Sequence, residues 1–275
     1  MRALPRVRVA AATVLLTLLG ACSTTTDPAP GPGGDSVRLP PPGAVFDYQL
    51  GGAYPPAGDV EAVSRDRAAE PVPGLYNICY VNAFQTQPGD AVAWWRKNHP
   101  DLLLRGRDGE PVVDEDWDEP LLDISSAAKR RSLLGVVGPW IDGCARRGFD
   151  AVEPDNLDSY TRSDGLLTEA DARDFARLLA DRAHARGLAI AQKNTAGLLG
   201  AREDIGFDFA VVEECARYEE CPDFARAHDG RVFDVEYEQG DFATACRTRG
   251  GRLSVVLRDR DVRPAGEPGH VRRTC

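Results

Sequence analysis

Two short stretches hold the side chains best suited to chemistry. In GFDAVEPDNLDSY (Gly148 to Tyr160), an apolar run from Phe149 to Val152 leads directly into Glu153, Asp155 and Asp158, set around Pro154 and Asn156. In FDFAVVEEC (Phe207 to Cys215), apolar residues lead into Glu213 and Glu214. A buried strand that ends in carboxylates holds them at fixed positions, and a pair from separate strands suits cleavage of a glycosidic bond. Successive residues on a strand point to opposite sides, so Glu153 and Asp155 share a face, while Glu213 and Glu214 cannot both point inward. Taken singly, each cluster also reads as a solvated acidic loop; only the two together favour an enzyme.

Placing both clusters at one end of a fold needs strands, and the chain supplies eight apolar runs for them. They are Ala44–Leu50, Leu75–Val81, Leu121–Ile124, Phe149–Val152, Leu188–Gln192, Phe207–Val212, Val232–Val235 and Leu253–Leu257. Helices are expected at 59–69, 90–98, 127–147, 168–186, 196–204, 223–228 and 242–249, with Ser125 as an N-cap and Thr168 and Asp171 spaced as a capping box. Strand–helix alternation implies parallel pairing, and eight units in this length predict a single (β/α)8 TIM barrel. A doubly wound open sheet is the rival, but no GxGxxG follows the first strand and no GxxxxGK[ST] occurs.

Polar residues gather at the expected strand ends: Asp47 and Tyr48, Tyr80 and Asn82, Asp123, Lys193 and Asn194, Glu236 and Tyr237, and Arg258 with Asp259. The four histidines are scattered without metal-ligand spacing, and no GxSxG elbow is present. No cofactor or metal is expected, although Glu153, Asp155 and Asp158 together could also take a divalent cation. Trp94, Trp95 and Trp140 fall in helices and read as packing.

The N-terminus reads as a targeting segment, residues 1–21, with Arg2, Arg6 and Arg8 ahead of an apolar run from Val9 to Gly20. Leu19-Gly20-Ala21-Cys22 resembles a lipoprotein processing site, in which Cys22 would be lipidated and hold the protein to the outer face of a bacterial membrane. Plain secretion after Ala21 is the alternative. A Pro/Gly-rich tether, residues 22–42, then leads to a catalytic domain at 43–275. The whole chain carries a net charge of -10, and loss of the leader's three arginines makes it more acidic still. Such a surface excludes nucleic acid and suits a neutral or cationic substrate; the protein is expected to be a monomer. Six cysteines remain beyond Cys22, an even number that favours disulfides in an exported chain, and Cys215 with Cys221 can close a small loop. Cys246 with Cys275 is a second candidate pair.

GFDAVEPDNLDSY, AQKN (Ala191 to Asn194), FDFAVVEECARYEEC and VFDVEY (Val232 to Tyr237) resemble glycoside hydrolase family 114, the endo-α-1,4-polygalactosaminidase and spherulin-4-like family. ICYVN (Ile78 to Asn82) and DYQL (Asp47 to Leu50) fit it as well, while Phe84 to Trp117 departs from its usual pattern. The resemblance implies a TIM barrel, hydrolysis of α-1,4-linked galactosamine-containing polysaccharide, and an acidic pair at Asp155 and Glu213. A retaining mechanism would make Asp155 the nucleophile and Glu213 the acid/base. The substrate contacts expected with it are Asp47, Asn156 and Asn194; Glu153, Asp158 and Glu236 binding an ammonium; Lys193 on a sugar hydroxyl or on a carboxylate; and Tyr48, Tyr80 and Tyr237 stacked on sugar faces.

Overall fold

The computed structural model describes residues 37–249 and 252–275. The proposed leader, Cys22 and most of the tether lie outside these residues. In chain order the elements are β1 (Phe46–Gln49), β2 (Ala62–Asp66), β3 (Tyr76–Asn82), α1 (Asp90–Asn98), β4 (Val113–Asp114), β5 (Glu119–Pro120), α2 (Ala127–Arg147) and β6 (Ala151–Asp155). There follow α3 (Glu169–His184), β7 (Ala189–Lys193), α4 (Arg202–Ile205), β8 (Phe209–Glu213), α5 (Cys221–Ala227), β9 (Val232–Glu236), α6 (Gln239–Arg249), β10 (Ser254–Arg258) and β11 (Arg272–Thr274).

Eight strands pair in parallel in the order β1-β2-β3-β6-β7-β8-β9-β10 and curl into a nearly closed TIM barrel, with β11 added antiparallel to β10. At the seam, Arg272 donates to the Phe46 carbonyl (3.4 Å), and the Phe46 and Phe233 rings pack at 4.6 Å. Large and small side chains fill the interior together: Phe46, Tyr76, Phe209 and Phe233 beside Ala151, Ala189 and Ala191, all buried. That mixture fits the taper of a small barrel.

The opposite strand faces carry a second apolar set, and the helices cover it. Leu133, Val137 and Ile141 of α2 and Phe175, Ala176 and Leu179 of α3 bury against Val152 and Ile190. Ser126, rather than the expected Ser125, caps α2 by accepting from the Lys129 amide, and Ser125 instead bonds Asp123. Thr168 and Asp171 form the full capping box on α3. Cys79 of β3 is bonded to Cys144 of α2, Cys215 to Cys221, and Cys246 of α6 to Cys275. Among the described residues no helix is long and apolar enough to cross a membrane.

Two expected elements are corrected. The stretch 59–69 is not helical; its centre is β2, the second barrel strand. Arg65 misled because it is buried: it donates to Gln49, to the Glu70 carbonyl and to the Tyr54 carbonyl. Conversely, Leu121–Ile124 is not a barrel strand. It lies in the segment that follows β3, bridging Gln85 and Leu103, where its leucines serve the outer core. No helix separates β1 from β2 or β2 from β3, so that flank of the barrel lacks the usual helical cover.

Candidate active site

Lys193, the last residue of β7, is the hub of the site. Its Nζ lies 3.1 Å from Glu153 Oε1, 3.1 Å from Asp155 Oδ1 and 3.3 Å from Glu213 Oε2, and it donates to Tyr48 Oη at 3.0 Å. Strand alternation explains the convergence: Glu153 and Asp155 on β6, Lys193 on β7 and Glu213 on β8 all follow the inward-facing residues of their strands. Exposure separates them into two levels. Side chains of Glu153 and Lys193 are 0% and 1% exposed, whereas Asp155 and Glu213 keep 18% and 27% open. The upper pair is therefore available to a ligand and the lower pair is not.

Every carboxylate has dedicated donors. Tyr80 Oη donates to Asp155 Oδ2 (2.7 Å), and the Asn156 amide donates to Asp155 Oδ1 (2.8 Å). Glu153 accepts from Tyr48 (3.0 Å) and from Ser64 (2.6 Å). Glu213 accepts from Tyr237 Oη and from Asn194 Nδ2 (3.2 Å), while its own amide donates to Asn194 Oδ1 (2.8 Å). Burial works to raise the Asp155 pKa, but Lys193, Tyr80 and the Asn156 amide outweigh it and hold the carboxyl below its usual range. Burial likewise opposes the Lys193 charge, and Asp155, Glu213 and Glu153 overcome it, pushing that pKa well up. Burial raises the pKa values of Tyr48, Tyr80 and Tyr237, helped by the nearby carboxylates, so all three remain protonated donors.

Each of the three site strands ends in a residue with positive φ: Asn156 (65°) after β6, Asn194 (46°) after β7 and Glu214 (58°) after β8. Side chains other than glycine visit this region at a cost, and such residues concentrate where a site dictates the backbone. The turn takes Glu214 out of strand alternation; its carboxylate pairs with Arg217 (2.7 Å) and Arg260 (3.0 Å).

Several expected contacts fall elsewhere. Asp47 is fully buried on the far side of its strand from Tyr48, bonded to Tyr54 (2.7 Å) and near Arg258 and Arg272. Glu236 faces the helical layer; it accepts from the Ala216 amide (2.8 Å) beside the buried Asp234. Its pKa is raised to about 7 by burial, with Asp241 and Glu214 acting in the same sense. Neither residue reaches the carboxylate cluster. Glu153 and Lys193 are sealed beneath it, and Tyr48 is 1% exposed, so it cannot stack on a sugar. The hydroxyls of Tyr80 and Tyr237 are turned to the carboxylates. Of the three acids expected to hold an ammonium, Asp158 alone borders open space, paired with Arg162 at 2.9 Å. Asn156 bonds Asn82 (3.0 Å) and Glu119 (3.4 Å).

A cleft of about 500 Å³ opens over Glu213, lined among others by Trp117, Asp158, Asn194, Tyr218, Tyr237 and Arg260. Trp117 and Tyr218 are 60% and 59% exposed, which marks them as platforms at its rim. Neither carried a signal in the sequence, because both lie in irregular segments. Ser64 was missed with its strand. Glu119, whose pKa burial raises to about 7 against the Asn82 hydrogen bond, lies in the tiny hairpin β4–β5.

No curated protein sequence matches the chain. The structure resembles Ega3 of Aspergillus fumigatus, solved in complex with galactosamine, at TM-score 0.69 and 26% identity, covering 87% of this chain and 98% of that one. It also resembles the glycoside hydrolase domain of PelA from Pseudomonas aeruginosa, at TM-score 0.57 and 17% identity over 82% and 98% of the two chains, a likeness of fold. A family model matches residues 27–275. The chain belongs to glycoside-hydrolase family GH114 and is a glycoside hydrolase.

Proposed function

We propose that the protein cleaves α-1,4-linked galactosamine-containing polysaccharide, endo-acting and with retention of configuration, with Asp155 as nucleophile and Glu213 as acid/base. One observation carries the assignment: Asp155 and Glu213 share the buried Lys193 ammonium and are the two carboxylates on it that keep side-chain surface open to solvent. Carboxylates that share one ammonium lie close together, in keeping with the ~5–5.5 Å pair of a retaining enzyme. The galactosamine bound to Ega3 and the acidic cleft lining support an amino-sugar substrate.

In the first step Asp155 attacks the anomeric carbon as the glycosidic C–O bond breaks, and the leaving oxygen takes its proton from Glu213. In the second step Glu213 removes a proton from water as that water attacks the same carbon, and Asp155 departs as carboxylate. Tyr80, Lys193 and the Asn156 amide hold Asp155 ionised for attack. Lys193 orients both carboxylates from below rather than touching sugar.

The domain at 43–275 and export with lipidation of Cys22 belong to the same proposal; three disulfides support an oxidising compartment. The test is reducing-end release from partly deacetylated galactosaminogalactan. Wild type should cleave, and Asp155→Asn and Glu213→Gln should each lose activity while staying folded. Cleavage that survives either substitution would reassign that carboxylate. Incorporation of labelled fatty acid, absent in Cys22→Ala, checks the anchor.

A further inference from the structure

Beside the end of β3, α1 and α2 enclose a pocket of about 330 Å³, at the small end of the ~300–1,000 Å³ range of small-molecule sites. Its walls are Trp94, Trp95 and Trp140, with Arg67, Asn82 and Gln87 as the polar groups. Trp94 and Trp95 meet edge to face at 5.4 Å, and Trp95 and Trp140 at 6.0 Å. Trp95 is buried and fixes the set, while Trp94 leaves 43% of its surface to solvent. Packing accounts for Trp95; it does not account for an open indole beside a polar-edged cavity.

We propose that this pocket is a second carbohydrate subsite, which takes a neutral, N-acetylated residue of the same polymer whose charged residues the acidic cleft accepts. The inference rests on the polymer named under Proposed function. A pyranose ring offers C–H bonds on its faces and hydroxyls around its edge. Indole faces are electron-rich and suit the first; Gln87 Oε1 and the Arg67 guanidinium suit the second. Charge decides which sugar enters. A cage of three indoles could hold an ammonium, but Arg67 already stands over Trp140 at 4.2 Å, and a second cation would be repelled. Among the described residues no carboxylate lines the pocket, and the adjacent Asp66 is occupied by Gln87 (2.8 Å) and the Ala68 amide (2.8 Å). The Glu213 cleft has the opposite character, lined by Asp158, Glu213, Glu214 and Glu220.

The location fits one chain occupying both places. Asn82 borders the pocket and is the direct β3–β6 register partner of Asp155. Strand order places Asn82 on one side of Asp155 and Glu213 on the other, so the pocket and the acidic cleft flank the catalytic pair. A polymer carrying both free and acetylated amines would then be set in register by its pattern of acetylation.

The experiment uses the Asp155→Asn protein, so that nothing is cleaved, and measures binding of two α-1,4-linked trisaccharides by calorimetry and tryptophan fluorescence. One is N-acetylgalactosamine throughout, the other galactosamine throughout. A β-1,4-linked N-acetylglucosamine trimer is the control. The expected result is that adding Trp94→Ala weakens the acetylated trimer at least tenfold and leaves the galactosamine trimer within twofold. Equal losses for both trimers, no loss for either, or absence of any binding of the acetylated trimer would overturn the subsite. Trp94-dependent binding of the control trimer as tight as that of the acetylated substrate would overturn its assignment to this polymer. Failure of the hydrolase reading shows separately, as absence of cleavage by wild type with Trp94-dependent binding intact.

Discussion

The Lys193 ammonium lies 3.1 Å from Asp155 Oδ1 and is sealed from solvent beneath it. A buried cation on three carboxylates serves stability and chemistry at once. Removing it leaves Glu153, Asp155 and Glu213 facing one another without compensation. Lys193→Met should cost about 3–5 kcal/mol of stability and abolish turnover. Lys193→Met with Glu153→Gln should regain part of the stability and none of the activity, read by thermal melts beside reducing-end assays. Full activity in the single variant would remove Lys193 from the mechanism.

Tyr80 and Tyr237 each donate to one member of the proposed catalytic pair. Tyr80→Phe should lower kcat by roughly tenfold to a hundredfold, since a hydrogen bond to a charged group contributes about 1.5–3 kcal/mol. Tyr237→Phe should act in the same direction through Glu213. Because both hydroxyls are committed to the carboxylates, KM should move less than kcat. A rise in KM alone would return these tyrosines to a stacking role.

Glu119 and Glu236 both have pKa values raised to about 7, chiefly by burial. Their folded forms hold protons that the unfolded chain releases near pH 4.5, so the stability they contribute is lost as pH rises from about 4.5 to 7. His228 works in the opposite sense: burial lowers its pKa to about 3, so its contribution is lost as pH falls below about 6.5. The clean comparison is between variants. Glu119→Gln and Glu236→Gln should each gain Tm relative to wild type as pH goes from 5 to 8. A difference in Tm that stays flat across that range would mean these carboxyls titrate normally.

The three disulfides close loops of very different size, with separations of 65 residues for Cys79–Cys144, 29 for Cys246–Cys275 and 6 for Cys215–Cys221. Chain-entropy arguments give losses of about 4, 3.5 and 2 kcal/mol when each is replaced by a pair of alanines. Denaturant titration should reproduce that order. The smallest loop begins two residues after Glu213, so its loss should affect activity more than its small stability cost suggests.

How far the fold could be read from sequence depended on whether charge and apolarity pointed the same way. The runs ending at Asp155 and Glu213 are apolar inside and acidic at the tip, and both became barrel strands. β2 failed that rule because Arg65 and Asp66 are held by polar partners within the fold, and with it went Ser64, the partner of Glu153. Leu121 to Ile124 failed in reverse, since an apolar run can serve the outer core as readily as a barrel. Strand parity correctly grouped Glu153 with Asp155. Depth was not legible: periodicity cannot tell that Glu153 is sealed while Asp155 keeps part of its side chain open. Asp47 and Glu236 sit at strand ends like true site residues, yet each faces away from the barrel axis.

The chain has three lysines, Lys97, Lys129 and Lys193. Lys193 is enclosed, Lys97 is exposed on α1, and Lys129 lies at the start of α2. Amine-directed reagents therefore sort themselves on the folded protein. They can attach a dye, a resin or a crosslinker through Lys97 and Lys129 and leave the central ammonium untouched. The amine-bearing polymer proposed as substrate can be blocked by the same chemistry in a separate step, so enzyme and polymer can each be modified with one reagent.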